Sequence, residues 1–192
     1  VNVNFLTDEE LSSIREKEFS GKGLELVRDM FVFSCYTGLA YIDIFNLTKD
    51  QLSKGIDGNL WIITNRQKTG SASNIPLLPV AEEIIKKYEN HPVSSNSGKL
   101  LPVYTNQKVN EYLKTIAENC GINKKLTFHC ARHTFATTVT LGNNVSMESV
   151  SKMLGHKSIK TTQHYAKILD SKVSQDMGNL KVVLQRKNEV QT

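Results

Sequence analysis

Thr127-Phe128-His129-Cys130-Ala131-Arg132-His133-Thr134-Phe135-Ala136-Thr137 is the stretch on which the fold turns. It reads as the opening of a helix running from Phe128 to Gly142, with Thr127 as candidate N-cap. His129 and Arg132 stand three apart, so both project from one face of the first turn. A helix start favours an anion, and a guanidinium can pair two phosphate oxygens where an ammonium acts as a point charge. A lone His-x-x-Arg fits a solvated helix start equally well, so its weight comes from what surrounds it. Downstream, a helix from Ser146 to Leu154 is closed by Gly155, whose left-handed turn throws His156 off the helix axis. The polar connection 157–164 reads as a short helix carrying Tyr165 back toward the face of His156. Upstream, Lys68 sits where a hairpin would reach outward, although Lys-Thr-Gly is also the make-up of a solvated turn. A phenol among several cations, with no paired carboxylates, points to a nucleophile aimed at a phosphodiester.

The rest of the chain divides into helical ends and a middle of different period. Thr7-Asp8-Glu9-Glu10 is a capping box opening a helix to about Glu18, and a second helix over 24–36 is apolar on most faces, hence central. Thr37-Gly38 ends it, and 41–47 reads as a short helix or turn. Strands are predicted at 51–53, 61–64 and 74–78, with turn signals between, giving a small antiparallel sheet whose third strand Pro76 places at an edge. Helices follow over 80–90 and 106–120, separated by a polar loop at 91–99 whose Ser94–Gly98 stretch reads as mobile. A last helix is expected from Asp170 to Met177, then a tail over 181–192. The fold class is therefore α+β, mostly helical with one three-stranded antiparallel sheet.

With 192 residues and 39% hydrophobic content, the chain can bury one sizeable core. Its net charge of +5 favours a polyanionic partner, and nearly all of the excess is lysine: five of the 24 basic residues are arginine. No apolar run approaches ~18 residues, which excludes a membrane helix. Neither a secretory leader nor an initiator methionine is visible, and a fragment is expected. Cys35, Cys120 and Cys130 lack Cys-x-x-Cys spacing, which excludes a zinc framework and fits a reducing cytoplasm. Cys35 reads as core packing.

Taken together, Thr37-Gly38-Leu39, Lys68, His129-x-x-Arg132 with His133-Thr134-Phe135-Ala136-Thr137, Leu154-Gly155-His156 and Tyr165 resemble the catalytic domain of the tyrosine recombinases, or phage-type integrases. The likeness covers about residues 5 to 180. The variant Thr37-Gly38-Leu39-Ala40-Tyr41-Ile42-Asp43 looks closest to integrases of Bacteroides-type conjugative transposons. The resemblance implies a catalytic domain over 1–180, with the family's N-terminal DNA-clamping domain absent from this sequence. It also implies site-specific cutting and rejoining of double-stranded DNA through a 3′-phosphotyrosyl bond to Tyr165. Arg132 and His156 would stabilise the pentacoordinate phosphorus, His129 would act as acid/base or phosphate ligand, and Lys68 would protonate the leaving 5′-oxygen. No cofactor, metal or ATP is implied. Four protomers on paired sites, with accessory DNA-bending factors, are.

One position departs from the family. Where it carries an arginine of the phosphate clamp, this chain has Ala40. Losing such a clamp costs ~10³-fold or more by analogy with arginine fingers. Arg28 lies about three helical turns upstream, and Arg15 and Arg186 lie in terminal segments. Arg66 precedes Lys68 by two residues in the strand, so period two would put both on one sheet face, and it is the expected substitute; a solvated edge arginine is the alternative. Asp43 is expected to orient a neighbouring histidine or arginine, or to be a plain helix-start carboxylate. Nearby cations are expected to lower the Tyr165 pKa from ~10. His133 is expected to pack or orient its helix, His91 to lie on loop surface, and His164 to point elsewhere. A type IB topoisomerase and a catalytically impaired DNA-binding module are the rival readings.

Overall fold

Helix α2 (Lys22–Thr37) runs through the middle of the molecule because apolar residues cover nearly its whole circumference. Leu26, Val27, Met30, Phe31, Val32, Phe33 and Cys35 are all buried, and each large side chain so covered contributes ~1.5–3 kcal/mol. The computed structural model describes residues 4–166, 173–174, 177–182 and 185. Around α2 pack α1 (Asp8–Glu16), α4 (Pro79–Tyr88), α6 (Asn106–Asn119) and α7 (Phe128–Thr134). Phe31 meets Phe128 edge to face, with ring centroids 6.2 Å apart. The capping box at Thr7 and Glu10 is present, although α1 stops at Glu16 rather than Glu18. The short helix α3 (Tyr41–Asn46) follows the left-handed turn at Gly38.

The sheet has the order β1-β2-β3, all antiparallel, with β1 (Leu52–Lys54), β2 (Leu60–Asn65) and β3 (Ala72–Pro76). Register pairs Ile62 with Ile75 and Thr64 with Ser73. Ile62 and Ile75 are buried, so this face is turned to the core, and Pro76 ends the edge strand as expected. Ser73 Oγ donates to the carbonyl of Met153, tying the sheet to α8 (Met147–Met153). The mostly helical α+β fold with its small antiparallel sheet is thus the one the sequence implies.

Three expectations are corrected. Strand β2 ends at Asn65, so Arg66 and Lys68 belong to the β2–β3 turn and strand periodicity does not align them. Arg66 is the last residue held in register, donating its N–H to Ser71 O at 2.8 Å, while its own carbonyl accepts from Gly70 N. The polar loop at 91–99 contains a helix, α5 (Pro92–Ser97), capped by His91 Nδ1 and ended by Gly98 in the left-handed region; Ser94 within it is fully buried. Finally, the helix expected from Phe128 to Gly142 changes type midway. Beyond Thr134 it widens into a π-helical segment, Phe135–Thr140, followed by a 3₁₀ turn, Leu141–Asn143.

Threonine hydroxyls accompany that change. Thr137 Oγ1 donates to His133 O at 2.7 Å, and Thr140 Oγ1 reaches both Phe135 O (2.7 Å) and Ala136 O (3.0 Å). Side-chain donors thereby take carbonyls that an ordinary α-turn would use. Beyond the π segment, α8 and α9 (Ile159–Ala166) enclose a second core of Phe135, Ala136, Leu141, Val150, Leu154 and Tyr165. The helix expected from Asp170 to Met177 lies largely outside the described residues. Residues 177–182 are helical, so the start of the expected tail at 181 is helical too; most of the remaining tail lies outside the described residues.

Candidate active site

Arg132 sits where three segments converge. It is 3% exposed, and its guanidinium donates to Gly38 O at 2.6 Å and to Leu154 O. One side chain therefore fastens the end of α2 and the end of α8 onto α7. Gly38 has φ +71°, and a Cβ there would stand 2.4 Å from the Phe135 ring, so both conformation and space demand glycine. Burial, then the nearby Arg66, lowers the Arg132 pKa to about 10, with Tyr165 and Asp43 acting in the opposite sense. It is a cation at neutral pH all the same.

Tyr165, on α9, is 7% exposed in the second core. Its hydroxyl lies 3.0 Å from His133 Nδ1. The His156 ring lies parallel to the phenol, 7° between planes and 6.5 Å between centroids. His156 Nδ1 is fixed by Thr162 Oγ1 at 2.8 Å. Burial raises the Tyr165 pKa, and the opposing pull of Arg132 and Arg66 does not overcome it. This corrects the expectation that cations would lower it: in the free protein the phenol is neutral.

Arg66 reaches the same place from the sheet. Its Cγ and Cδ lie over Gly155, where an added Cβ would be 3.0 Å from both and where φ is +60°. Its Nε is buried with no hydrogen-bond partner among the described residues, and its charge is felt by Arg132, His129, His156 and Tyr165. Asp43 does not orient a histidine. Its carboxylate accepts from the backbone N–H of Gln67 at 2.9 Å, anchoring the Arg66–Lys68 turn to α3, while its charge favours protonated Arg132. Lys68 lies exposed on that turn.

His129 stands at the exposed rim of α7, its ring 4.3 Å from that of His133. Partial burial, then Arg132, Arg66 and Lys68, holds its pKa below the usual histidine value. Thr127 occupies the N-cap position without making the bond. Asn110 Oδ1 from α6 accepts the Phe128 N–H instead, at 3.0 Å. An open cleft of ≈ 430 Å³ lies here, lined by Ala40, Tyr41, Asn110, His129 and Arg132 among others. The small side chain of Ala40 leaves one wall of it bare.

Sequence reasoning placed Tyr165, Arg132, His156, His129 and Arg66 in one neighbourhood, and they share one. It missed the contact of His133 with the nucleophile candidate, although the i,i+4 spacing of His129 and His133 put both on one helix face. It also missed Asn110, for which the sequence carries no local signal. His91 caps α5 rather than lying on a loop.

The domain is thus mostly helical, with a buried phenol, Tyr165, close to the buried Arg132 and to Arg66. The chain belongs to the Phage integrase family, whose pattern it matches over residues 4–172. It is 29% identical to tyrosine recombinase XerC of Rickettsia canadensis (strain McKiel), over 83% of this chain and 50% of that protein. It is 30% identical to tyrosine recombinase XerD of Lacticaseibacillus casei, over 83% of this chain and 57% of that one. It therefore spans about half the length of the curated relatives it matches. The fold is shared with the crystal structure of XerA recombinase, at TM-score 0.72 and 21% identity, covering 92% of this chain and 65% of that one. It is shared too with the Tn1549 transposon integrase in complex with a circular intermediate DNA, at TM-score 0.63 and 16% identity, covering 86% and 62%. No helix among the described residues is long and apolar enough to cross a membrane.

Proposed function

We propose that this chain is the catalytic part of a site-specific DNA recombinase that integrates and excises a mobile element, of the kind carried by conjugative transposons. The observation that carries this reading is the Tyr165 hydroxyl held beside His133 within the electrostatic reach of two guanidiniums, Arg132 and Arg66. Tyr165 attacks a backbone phosphate, leaving a 3′-phosphotyrosyl bond and a free 5′-hydroxyl. Arg132, Arg66 and His156 stabilise the pentacoordinate charge, His129 binds the phosphate at the cleft rim, and Lys68 protonates the departing oxygen. Asp43 positions the turn that carries Arg66 and Lys68. The bond energy is kept in the protein–DNA linkage, so neither ATP nor a metal is required. Double-stranded DNA in the cytoplasm is the substrate, with four protomers on paired sites and DNA-bending factors assisting.

Trapping on nicked duplexes with a randomised recognition arm tests the reading. Wild type is expected to form a denaturant-resistant adduct, and Tyr165→Phe to bind DNA without forming one. An adduct in Tyr165→Phe refutes the assignment. Ala40 favours a second reading, an impaired DNA-binding module, and that reading predicts binding with no adduct from wild type.

A further inference from the structure

His133 directly follows the arginine of the His-x-x-Arg pair, yet the reaction as written above gives it no part. Its Nδ1 is the hydrogen-bond partner of the Tyr165 hydroxyl, at 3.0 Å. The two rings lie 5.5 Å apart, and the imidazole is half-buried at the junction where α7 widens into the π segment. Its backbone is fixed as well, since the His133 carbonyl accepts from Thr137 Oγ1 at 2.7 Å.

We infer that His133 is a catalytic residue, the base that takes the phenol proton from Tyr165 at Nδ1. This deepens the recombinase reading and rests on it. The direction of the hydrogen bond follows from counting donors. A phenol has one O–H, and Tyr165 is buried, so that hydrogen needs an acceptor. Among the described residues the imidazole nitrogen is the acceptor the geometry supplies. Nδ1 is then the bare nitrogen and Nε2 carries the hydrogen.

The surroundings agree. Burial, then His129 and Arg132, pushes the His133 pKa down to about 4, so the ring is neutral and able to accept at pH 7. Those same neighbours oppose an imidazolium until an anion arrives. The scissile phosphate and the developing phosphorane charge supply that anion, which couples proton uptake to the presence of DNA.

The step balances. The Tyr165 oxygen bonds to phosphorus as the phosphorus–5′-oxygen bond breaks; the phenol proton passes to His133 Nδ1, and the leaving oxygen takes a proton from the general acid. In religation each proton returns. His129, the other histidine on this face, touches the ring of His133 rather than the phenol, so it can receive the charge only through its neighbour.

Two measurements test this. Nitrogen-15 spectra of the histidine rings in the whole chain are expected to show His133 as the Nε2–H tautomer. An Nδ1–H tautomer overturns the assignment. The second measurement is the adduct rate on the nicked duplexes. In His133→Asn the amide oxygen stands near the place of Nδ1, able to accept the hydrogen bond but not to keep the proton. Cleavage at pH 7 is expected to fall ~10²–10⁴-fold, the usual contribution of a general base. Replacing Tyr165 by a trifluorotyrosine, whose acidic phenol needs no base, is expected to restore most of that loss in His133→Asn. A variant that cleaves at the wild-type rate, or a loss that the acidic phenol leaves untouched, overturns the step alone. A wild-type chain that forms no adduct overturns the recombinase reading and this step with it.

Discussion

Arg132 has five N–H groups in a fixed fork, and two of them are given to the Gly38 and Leu154 carbonyls. The same guanidinium is thus both a clasp for three helix ends and the cation of the cleft. An ammonium cannot span both carbonyls, so Arg132→Lys is expected to lose ~1–3 kcal/mol of stability along with cleavage; urea unfolding checks the first and adduct formation the second. Arg66 has a different double life: its stem covers Gly155 while its Nε waits without a partner among the described residues. If it fills the place left by Ala40, Arg66→Ala should reduce cleavage by ~10³-fold or more with little change in folding. Full activity in that variant leaves the bare wall of the cleft unexplained. The histidines set a pH limit. The pKa values of His133 and His156 are pushed to about 4, in both by burial first; His129 and Arg132 add to it for His133, Arg132 and Arg66 for His156. Below the ordinary histidine value of ~6.5 the unfolded chain binds protons that the folded chain refuses, so stability falls as pH drops from ~6.5 toward 4. Urea midpoints across that window should decline, and less so in the double variant His133→Asn, His156→Asn.

At the scale of elements, the close approach of α2, the π segment and α8 is what brings the cations together. Gly38 is the narrowest point, with Phe135 and Leu154 side chains both inside 3.0 Å of where a Cβ would stand. Gly38→Ala adds a left-handed penalty of ~1–2 kcal/mol to an overpacking cost of ~1–3 kcal/mol. A loss of about 2–5 kcal/mol in chemical denaturation is expected from those two costs together. These elements were legible to different degrees, for physical reasons. Helix α2 announces itself through its apolar circumference, and the sheet through β-branched residues between turn signals. Helix α5 has Pro92 at its first turn, a capping residue before it and Gly98 after it, yet its serine-rich interior masks those signals. The π segment is hidden differently: 3.6-residue periodicity cannot report a widened turn, and only the density of threonines at 134, 137, 138 and 140 hints that side chains take backbone carbonyls. Arg66 could be placed near the phenol without its geometry being right, because the strand stops one residue before it. Contacts such as Asp43 with the Gln67 N–H depend on where α3 meets the turn, and nothing local in either segment encodes that meeting.

For the whole molecule the governing quantity is charge against a polyanion. The chain carries +5 overall, and the arginines of the site are held in place by neutral carbonyls and packing rather than by carboxylates: among the described residues the ion pairs involve Arg15, Arg28, Lys87 and Lys124, all outside the site. The site cations also repel one another: burial first, and then the nearby Arg66, lowers the Arg132 pKa. On the recombinase reading proposed above, a phosphate entering the cleft would relieve that repulsion while displacing counterions from DNA, and each phosphate neutralised adds about 0.9 to the slope of log affinity against log salt. Binding to duplex DNA should therefore weaken steeply between 50 and 200 mM salt, as it does for proteins making several phosphate contacts, by ~10³-fold for six of them. Lys68→Ala, which removes an exposed cation from the turn, should flatten the slope by about 1 and weaken all sequences alike. Arg66→Ala should flatten it by a similar amount while also abolishing the adduct. A salt slope near zero in fluorescence titrations of the wild-type chain would mean that the unpaired cations do not meet phosphate, and the cleft would then need another anion.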